Sequence, residues 1–416
     1  MAMFTSKRSS MKSVAAMILS ALNMGRDYTS KDPSGSVLLG PGNALPTDPD
    51  FHSPGTRKQF SLFHLFASTS TLKLAAPALF AHLRDYVFLL PPDVYYDQHL
   101  TAPRKDDQQD PESVLKSETE ELGLSGASFF TTHDKGLIVK SVTRGFESSF
   151  LLHSMLEAYA IYLLSLKLQN EYSLLSPITD VLYPPYYTFA GALGLGMEGA
   201  IWIVMQNTLL LHASSTTLEG DSGTDSRIVS VAIPVSQKWD LKPPSFFEPF
   251  RDLVPDNVRP SGLADAELPI HHRPVISKET KKQIMHVLER DTKFLEEMGS
   301  VDYSILLGQW EVSSLPRDFP FPSDKTASWA EGVLSKDRLY IYKVAIVDFL
   351  WSQEAGLRPM VTRAAGKVVP QQTTTADPDM YREEFLRMCN EYFLTEVLVS
   401  EANEPTAGPS STSNKD

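Results

Sequence analysis

Residues 278–308 read KETKKQIMHVLERDTKFLEEMGSVDYSILLG, and this stretch changes its period halfway. Ile284, Val287, Leu288, Leu295 and Met298 recur at helical spacing and form one apolar face. Ser277 is placed to cap this helix, Glu279 and Glu289 to support it through capping and side-chain pairing, and Gly299 to end it. A short apolar segment follows, in which Asp302 sits among Val301, Tyr303, Ile305, Leu306 and Leu307. A carboxylate in such surroundings is costly unless something pairs with it. Asp302 is therefore expected to face a site.

Working outward, the 416-residue chain has room for one large domain or two lobes with real cores. A hydrophobic content of 42% and a charged content of 21% fit a globular protein. The net charge of −13 argues against a nucleic-acid partner, and docking on an anionic membrane would need a local basic patch. Cys389 is the single cysteine, so no disulfide framework or thiolate metal cluster forms, which suits a reducing cytosol. No continuous apolar run approaches the ~18 residues of a membrane span. Near the N-terminus, Lys7, Arg8 and Lys12 precede the apolar run Val14 to Leu22. The outline resembles a signal peptide but lacks a clear cleavage site, and a surface or dimer-forming helix accounts for it more simply.

Between these landmarks the chain alternates apolar elements and polar connections. Residues 25–58 are Gly-, Pro- and Ser-rich and read as a linker. Phe60 to Leu90 is mostly helical in pattern and ends at Pro91-Pro92; residues 103–121 read as a solvated loop or helix end. Phe129 to Thr132 and Leu137 to Val142 form a hairpin about Asp134-Lys135-Gly136, with the small-residue loop Ser125 to Ser128 at its mouth. Such a loop lets backbone amides approach phosphate oxygens. Lys140 shares a strand face with Ile138 and Val142, and two readings stand: a solvated strand lysine, or one aimed into a nucleotide cleft. Glu147 opens a helix running to Lys167; it is either Lys140's partner or a first-turn acid favoured by the helix dipole.

Ile201 to Leu211 reads as a buried strand, with Met205 to Asn207 as a hinge beside a nucleotide base. Asp240 and Lys242 flank a leucine in SQKWDLK, and Pro243-Pro244 ends that element. Leu339 to Trp351 is nearly all apolar and reads as a central strand, with Asp348 at its end. Asp348 there is either a cap or buried ion pair, or a metal ligand, since Mg²⁺ takes one or two carboxylates plus phosphate and water oxygens. Residues 353–378 read as a loop carrying Arg358, Arg363 and Lys367, 378–393 as a last helix, and the tail from 401 as disordered.

Taken in order, SGASFF, LIVK ending at Lys140, WDLK at Asp240 to Lys242, RDTKFL at Arg290 to Leu295, VDYSILLG at Val301 to Gly308 and AIVDFL at Ala345 to Leu350 resemble the motifs of the phosphatidylinositol phosphate kinase domain. Each is short; six in the right order are specific. The resemblance covers about residues 10–400 and implies an α+β fold of two kinase-like lobes with antiparallel sheets in both, related to SAICAR synthase. The implied division is 1–58 as an N-terminal helix and linker, 59–212 as the N-lobe, 213–400 as the C-lobe and 401–416 as a tail.

The resemblance also implies ATP and Mg²⁺ as cofactors and a phosphoinositide at the cytosolic face of a membrane as partner. It gives the catalytic set as Asp302, Lys140 and Asp348. It gives the ATP site as Ser125, Gly126, Ser128, Phe129, Lys140, Met205, Asn207, Asp240 and Lys242. Asp348 and Asp240 would hold the metal, and Arg358, Arg363 and Lys367 the lipid headgroup. The sequence departs from the family pattern in Pro243-Pro244, where Gly-Ser is usual, in Val301 and Ile305, and in a lipid loop without adjacent lysines. These departures leave a catalytically weak or inactive scaffold as the alternative to an active lipid kinase.

Overall fold

The structure is a computed structural model that describes residues 2–29, 71–102, 110–118, 127–142, 145–185, 201–215, 229–243, 268–317, 319, 321, 332–352 and 377–395. Over these residues helices and antiparallel sheets are mixed along the chain, so the fold is α+β.

Six strands make the first sheet: β1 (Lys73–Leu74), β2 (Leu115–Glu118), β3 (Phe129–Thr132), β4 (Leu137–Val142), β5 (Ile178–Tyr183) and β6 (Ile201–Gln206), in the order β1-β5-β6-β4-β3-β2. The β3–β4 turn is built by Asp134, whose carboxylate accepts from the Thr132 hydroxyl at 2.7 Å and the Gly136 amide at 3.1 Å. Gly136 is required there because the His99 ring occupies the space of a side chain, 2.3 Å from where a Cβ would stand. The His99 ring bonds Asp134 in turn. That hydrogen bond and charge, with Thr132 and Gly136, outweigh burial and bring the Asp134 carboxyl down to about 2.

Alternating side chains of this sheet feed two cores. Leu115, Phe130, Leu137, Val139, Trp202 and Val204 face α1 (Ala2–Thr29) and the π-helical turn Asp93–His99. The apolar run near the N-terminus lies in this core: Ala15, Ile18, Ala21 and Leu22 are buried against the chain's own first sheet, and burial of Ile18 and Leu22 contributes about 1.5–3 kcal/mol each. Beneath it Arg84 donates to Asp180 at 2.6 Å and Tyr95 to the same oxygen at 2.5 Å, an ion pair sealed inside the protein.

The opposite face packs on α4 (Gly145–Leu168), with Leu151, Met155, Leu156, Tyr159, Leu163 and Leu164 buried. By length and composition α4 is long and apolar enough to cross a membrane, although no continuous apolar run of that length stands in the sequence; here it is a core helix.

The second sheet has four strands, β9 (Gln237–Leu241), β11 (Ser304–Glu311), β12 (Val333–Leu334) and β13 (Tyr340–Val347), ordered β12-β13-β11-β9. Its core face packs with α5 (Lys278–Glu297) and α6 (Pro378–Tyr392). The Ser277 hydroxyl caps α5 on the Thr280 amide at 3.0 Å, and Gly299, with φ of 68°, ends it. Two short pairs complete the topology, β7 (Leu210–Ser215) with β8 (Val229–Pro234) and β10 (Ser300–Val301) with β14 (Trp351–Ser352).

Several elements differ from the sequence reading: β1 interrupts the helical pattern of Phe60 to Leu90, and the apolar run Leu339 to Trp351 divides at Asp348 into β13 and β14. Residues 111–118, read within a solvated loop or helix end, are a helical turn, α3 (Pro111–Val114), followed by the strand β2, because Val114 is buried and Leu115 reaches the first core. Ile201 to Leu211 is not one strand: it turns at Asn207, leaving β6 in the first sheet and β7 in a separate ribbon. The Asn207 amide bonds the Gly136 carbonyl at 2.9 Å and its side chain caps Leu209 at 3.0 Å, which stops the ladder. The sheets are stitched together at Leu174 to Ser176, where the Ile346 amide donates to Leu174 at 2.6 Å and the Ser176 amide to Ile346 at 2.9 Å.

Candidate active site

Asp302 and Asp348 occupy matching breaks in one hairpin. Ser304 pairs with Val347 at the end of the β11–β13 ladder, and beyond the break Val301 pairs with Trp351. Both aspartates have left-handed backbones, with φ of 65° and 60°. Aspartate tolerates this region better than most residues, but the surroundings must hold it there. The Ser300 hydroxyl donates to the Phe349 carbonyl at 2.7 Å, and Tyr381 of α6 donates to the Tyr303 carbonyl. The turn is therefore gripped from both sides.

Three further side chains arrive from other elements. Leu241 and Asp240 of β9 lie opposite Ile305 and Leu306, which brings Asp240 and Lys242 to the same sheet edge. The Lys242 ammonium donates to the Asp302 carbonyl at 2.7 Å and also bonds the Asp302 carboxylate. From the first sheet Lys140 bonds Asp348, with its ammonium 5.6 Å from the centre of the Phe129 ring. Phe129 lies directly opposite Lys140 in the β3–β4 pair.

Charge crowding follows from this convergence of two lysines and three aspartates. Desolvation works to discharge Lys242; the Asp302 carboxylate, its hydrogen bond, Asp348 and Asp240 overturn that and hold the ammonium above the usual lysine value. Asp240 is shifted upward, first by desolvation and then by Asp348, against the pull of the two lysines. A pair of carboxylates that disfavour each other's charge on an open edge fits a divalent cation. Among the described residues no group of three or more His, Cys, Asp or Glu side chains is placed to hold a metal. Mg²⁺ needs no such cage, because phosphate and water oxygens complete its shell.

The remaining sequence candidates are distributed around this edge. The Ser128 amide donates to the Ser141 hydroxyl at 2.7 Å, pinning the start of β3. Met205 is half-buried in β6, and Asn207 joins the β3–β4 turn to the strand exit, its side chain donating to the Lys135 carbonyl at 2.9 Å. Glu147 lies in the first turn of α4, while Lys140 carries an ion pair to Asp348. Ser125, Gly126, Arg358, Arg363 and Lys367 lie outside the described residues.

Sequence reasoning missed the supports. Asp291, within the RDTKFL motif, is fully buried inside α5, where it accepts from the Leu174 amide at 2.6 Å, the Ser173 hydroxyl at 3.0 Å and Tyr162, with Arg290 3.7 Å away. It ties α5 to the stitch between the sheets. The signal was a carboxylate falling on the apolar face of the helix, one turn before Leu295. Tyr381 carried no comparable signal.

A lysine crossing from one sheet to carboxylates at the end of another supplies the groups that phosphoryl transfer requires: a cation for phosphates, acids for a metal and an acid beside the acceptor. This is the equipment of a phosphotransferase. The family model described as Phosphatidylinositol-4-phosphate 5-Kinase matches residues 112–319, half of the chain, and the chain belongs to that family. The matched span contains Lys140, Asp240, Lys242 and Asp302; Asp348 lies beyond it. No curated protein matches the chain. At family level the chain is a phosphatidylinositol phosphate kinase, a membership that implies ATP use and usually a divalent metal.

Proposed function

We propose that the chain transfers the γ-phosphate of ATP to a phosphatidylinositol monophosphate, with the 4-phosphate as substrate and its 5-hydroxyl as acceptor. One observation carries the reading: Lys140, Asp240, Asp302 and Asp348, which come from four separate segments, meet at one sheet edge in a chain of this family. In this reading the two sheets are the lobes of a kinase-like fold, and the hairpin with Lys140 covers the nucleotide. Asp302 orients the inositol hydroxyl and takes its proton as that oxygen attacks the γ-phosphorus. The bond from phosphorus to the bridging oxygen breaks, and ADP leaves. Asp348 and Asp240 would hold Mg²⁺, which would supply positive charge to the phosphate oxygens. Lys140 exchanges Asp348 for phosphate. Arg358, Arg363 and Lys367 contact the headgroup at the cytosolic face of a membrane.

The test is transfer of labelled phosphate from ATP to vesicles of mixed phosphoinositides, with Lys140→Met and Asp348→Asn beside the wild type. Label in the bisphosphate band for wild type alone supports the reading; equal background in all three removes it. A second reading, a kinase-like scaffold, draws on Pro243-Pro244, which deprives this edge of two backbone donors that a Gly-Ser turn would offer to phosphate. Nucleotide binding with Mg²⁺ but no lipid phosphorylation selects it.

A further inference from the structure

We infer that Lys242 is a positioning residue for Asp302 rather than a ligand of the ATP phosphates, and that Pro243 is part of the same device. The inference rests on the kinase reading for what Asp302 does, but its geometry stands alone. Lys242 leaves β9 one residue after Leu241, which pairs with Ile305. Its ammonium has three protons. Two of them bond Asp302, one on the main-chain carbonyl at 2.7 Å and one on the carboxylate. Gripping both atoms of one residue fixes its peptide plane and its side-chain rotamer together. Asp302 needs that grip, because its φ of 65° lies where a residue with a Cβ is strained. The next carbonyl along, that of Tyr303, is held by the Tyr381 hydroxyl. Two successive carbonyls of the turn are thus anchored by side chains from two different elements.

Pro243 accounts for the choice of chain at the other end. A residue before proline is pushed out of the helical region toward extended backbone. Lys242 is such a residue, and Pro243 itself is buried. An extended Lys242 continues the line of β9 and sends its side chain along the sheet edge to Asp302. Pro243, which costs this edge an amide donor, thereby stiffens the base of the clamp.

The two roles of Lys242 separate in a KM-against-kcat comparison. Lys242→Met, Lys242→Arg and Pro243→Gly are assayed for lipid phosphorylation over a range of ATP, and ATP·Mg²⁺ affinity is measured by calorimetry on the same samples. The expected result for Lys242→Met is a fall in kcat of about 100-fold, the scale of a small misplacement of a reacting group, with ATP affinity within about twofold of wild type. Lys242→Arg restores part of kcat. Pro243→Gly, which keeps the lysine and frees its backbone, lowers kcat by a smaller factor, again without loss of ATP affinity. A tenfold weakening of ATP binding with kcat preserved at saturating ATP overturns the proposal and makes Lys242 a phosphate ligand.

If wild type phosphorylates no lipid, the kinase reading fails, and the clamp is then read by thermal unfolding of Lys242→Met, Asp302→Asn and the double variant. Non-additive shifts in melting temperature support the pair, and additive shifts overturn it. Should Lys242→Met fail to fold, the Pro243→Gly comparison decides alone: unchanged kcat with intact folding overturns the proposal.

Discussion

The site contains two lysine–aspartate pairs that differ in what they join. Lys140–Asp348 links the first sheet to the second, and the aspartate side chain is 40% exposed. Lys242–Asp302 lies within the second sheet, with both side chains 19% exposed, and its lysine also holds main chain. The first pair therefore has solvent on one side, whereas the second is the more enclosed and also grips main chain. A more exposed ion pair has little net strength and can be exchanged for phosphate and metal. The second resists exchange, because releasing Lys242 would leave both an acid and a strained carbonyl without their partner. One pair is built to be traded and the other to stay.

Removing the acid that the fixed pair holds should have the largest effect. Asp302→Asn keeps the shape and loses the proton acceptor; phosphorylation of lipid is expected to fall by about 10²–10⁴-fold with ATP affinity unchanged, measured by steady-state kinetics and calorimetry. A loss confined to ATP binding would put Asp302 in the exchangeable class instead. Breaking the exchangeable pair comes next. Lys140→Met should weaken ATP·Mg²⁺ binding by about 10–100-fold, the worth of a charge-assisted hydrogen bond to phosphate, whereas Lys242→Met leaves it alone. Equal effects of the two substitutions on nucleotide affinity would abolish the distinction.

The smallest effect is on stability. Folding raises the Asp240 carboxyl above its ordinary value of 3.8, through desolvation and then Asp348. The folded state then holds a proton at pH values where the unfolded chain has released it. Stability from this group is lost as pH rises through 3.8 to the shifted value, and the loss is complete at neutrality. Asp240 is exposed, so solvent screens much of this: Asp240→Asn should melt about 1 °C or less above wild type at pH 7 without Mg²⁺, and the two should converge below pH 3.8. A melting point no higher at pH 7 would mean that Asp240 and Asp348 do not crowd each other.

What the sequence revealed and what it concealed follow a physical line. The capped helix ending at Gly299, the β3–β4 hairpin and the strand running into Asp348 were legible, because each depends on a local period and a local stop signal. The break at Asn207 was read only as a hinge, since Gln206-Asn207-Thr208 lies between two apolar runs and the interruption comes from a distant turn carbonyl at Gly136. β2 was hidden because only Val114 and Leu115 in an acidic stretch reach a core. Motif order pointed to all of the site aspartates. It could not show which lysine each would meet, as Lys140 and Asp348 stand 208 residues apart and Lys242 and Asp302 stand 60 apart. Partner choice is a property of the assembled sheets.

The stitch at Leu174 to Ser176 has a consequence for access. The connector is bonded on one side to Ile346 in the second sheet and on the other to Asp291 in α5, so the floor of the cleft is tied at the back. A wide jaw-like opening would have to break those buried bonds. The β3–β4 hairpin is laddered into the first sheet on both sides, β4 to β6 from Leu137 to Val142 and β3 to β2, and reaches Asp348 through an exposed pair. The Lys140–Asp348 contact opens without breaking a sheet ladder, so under the kinase reading a nucleotide would enter beside it while both sheets keep their strands.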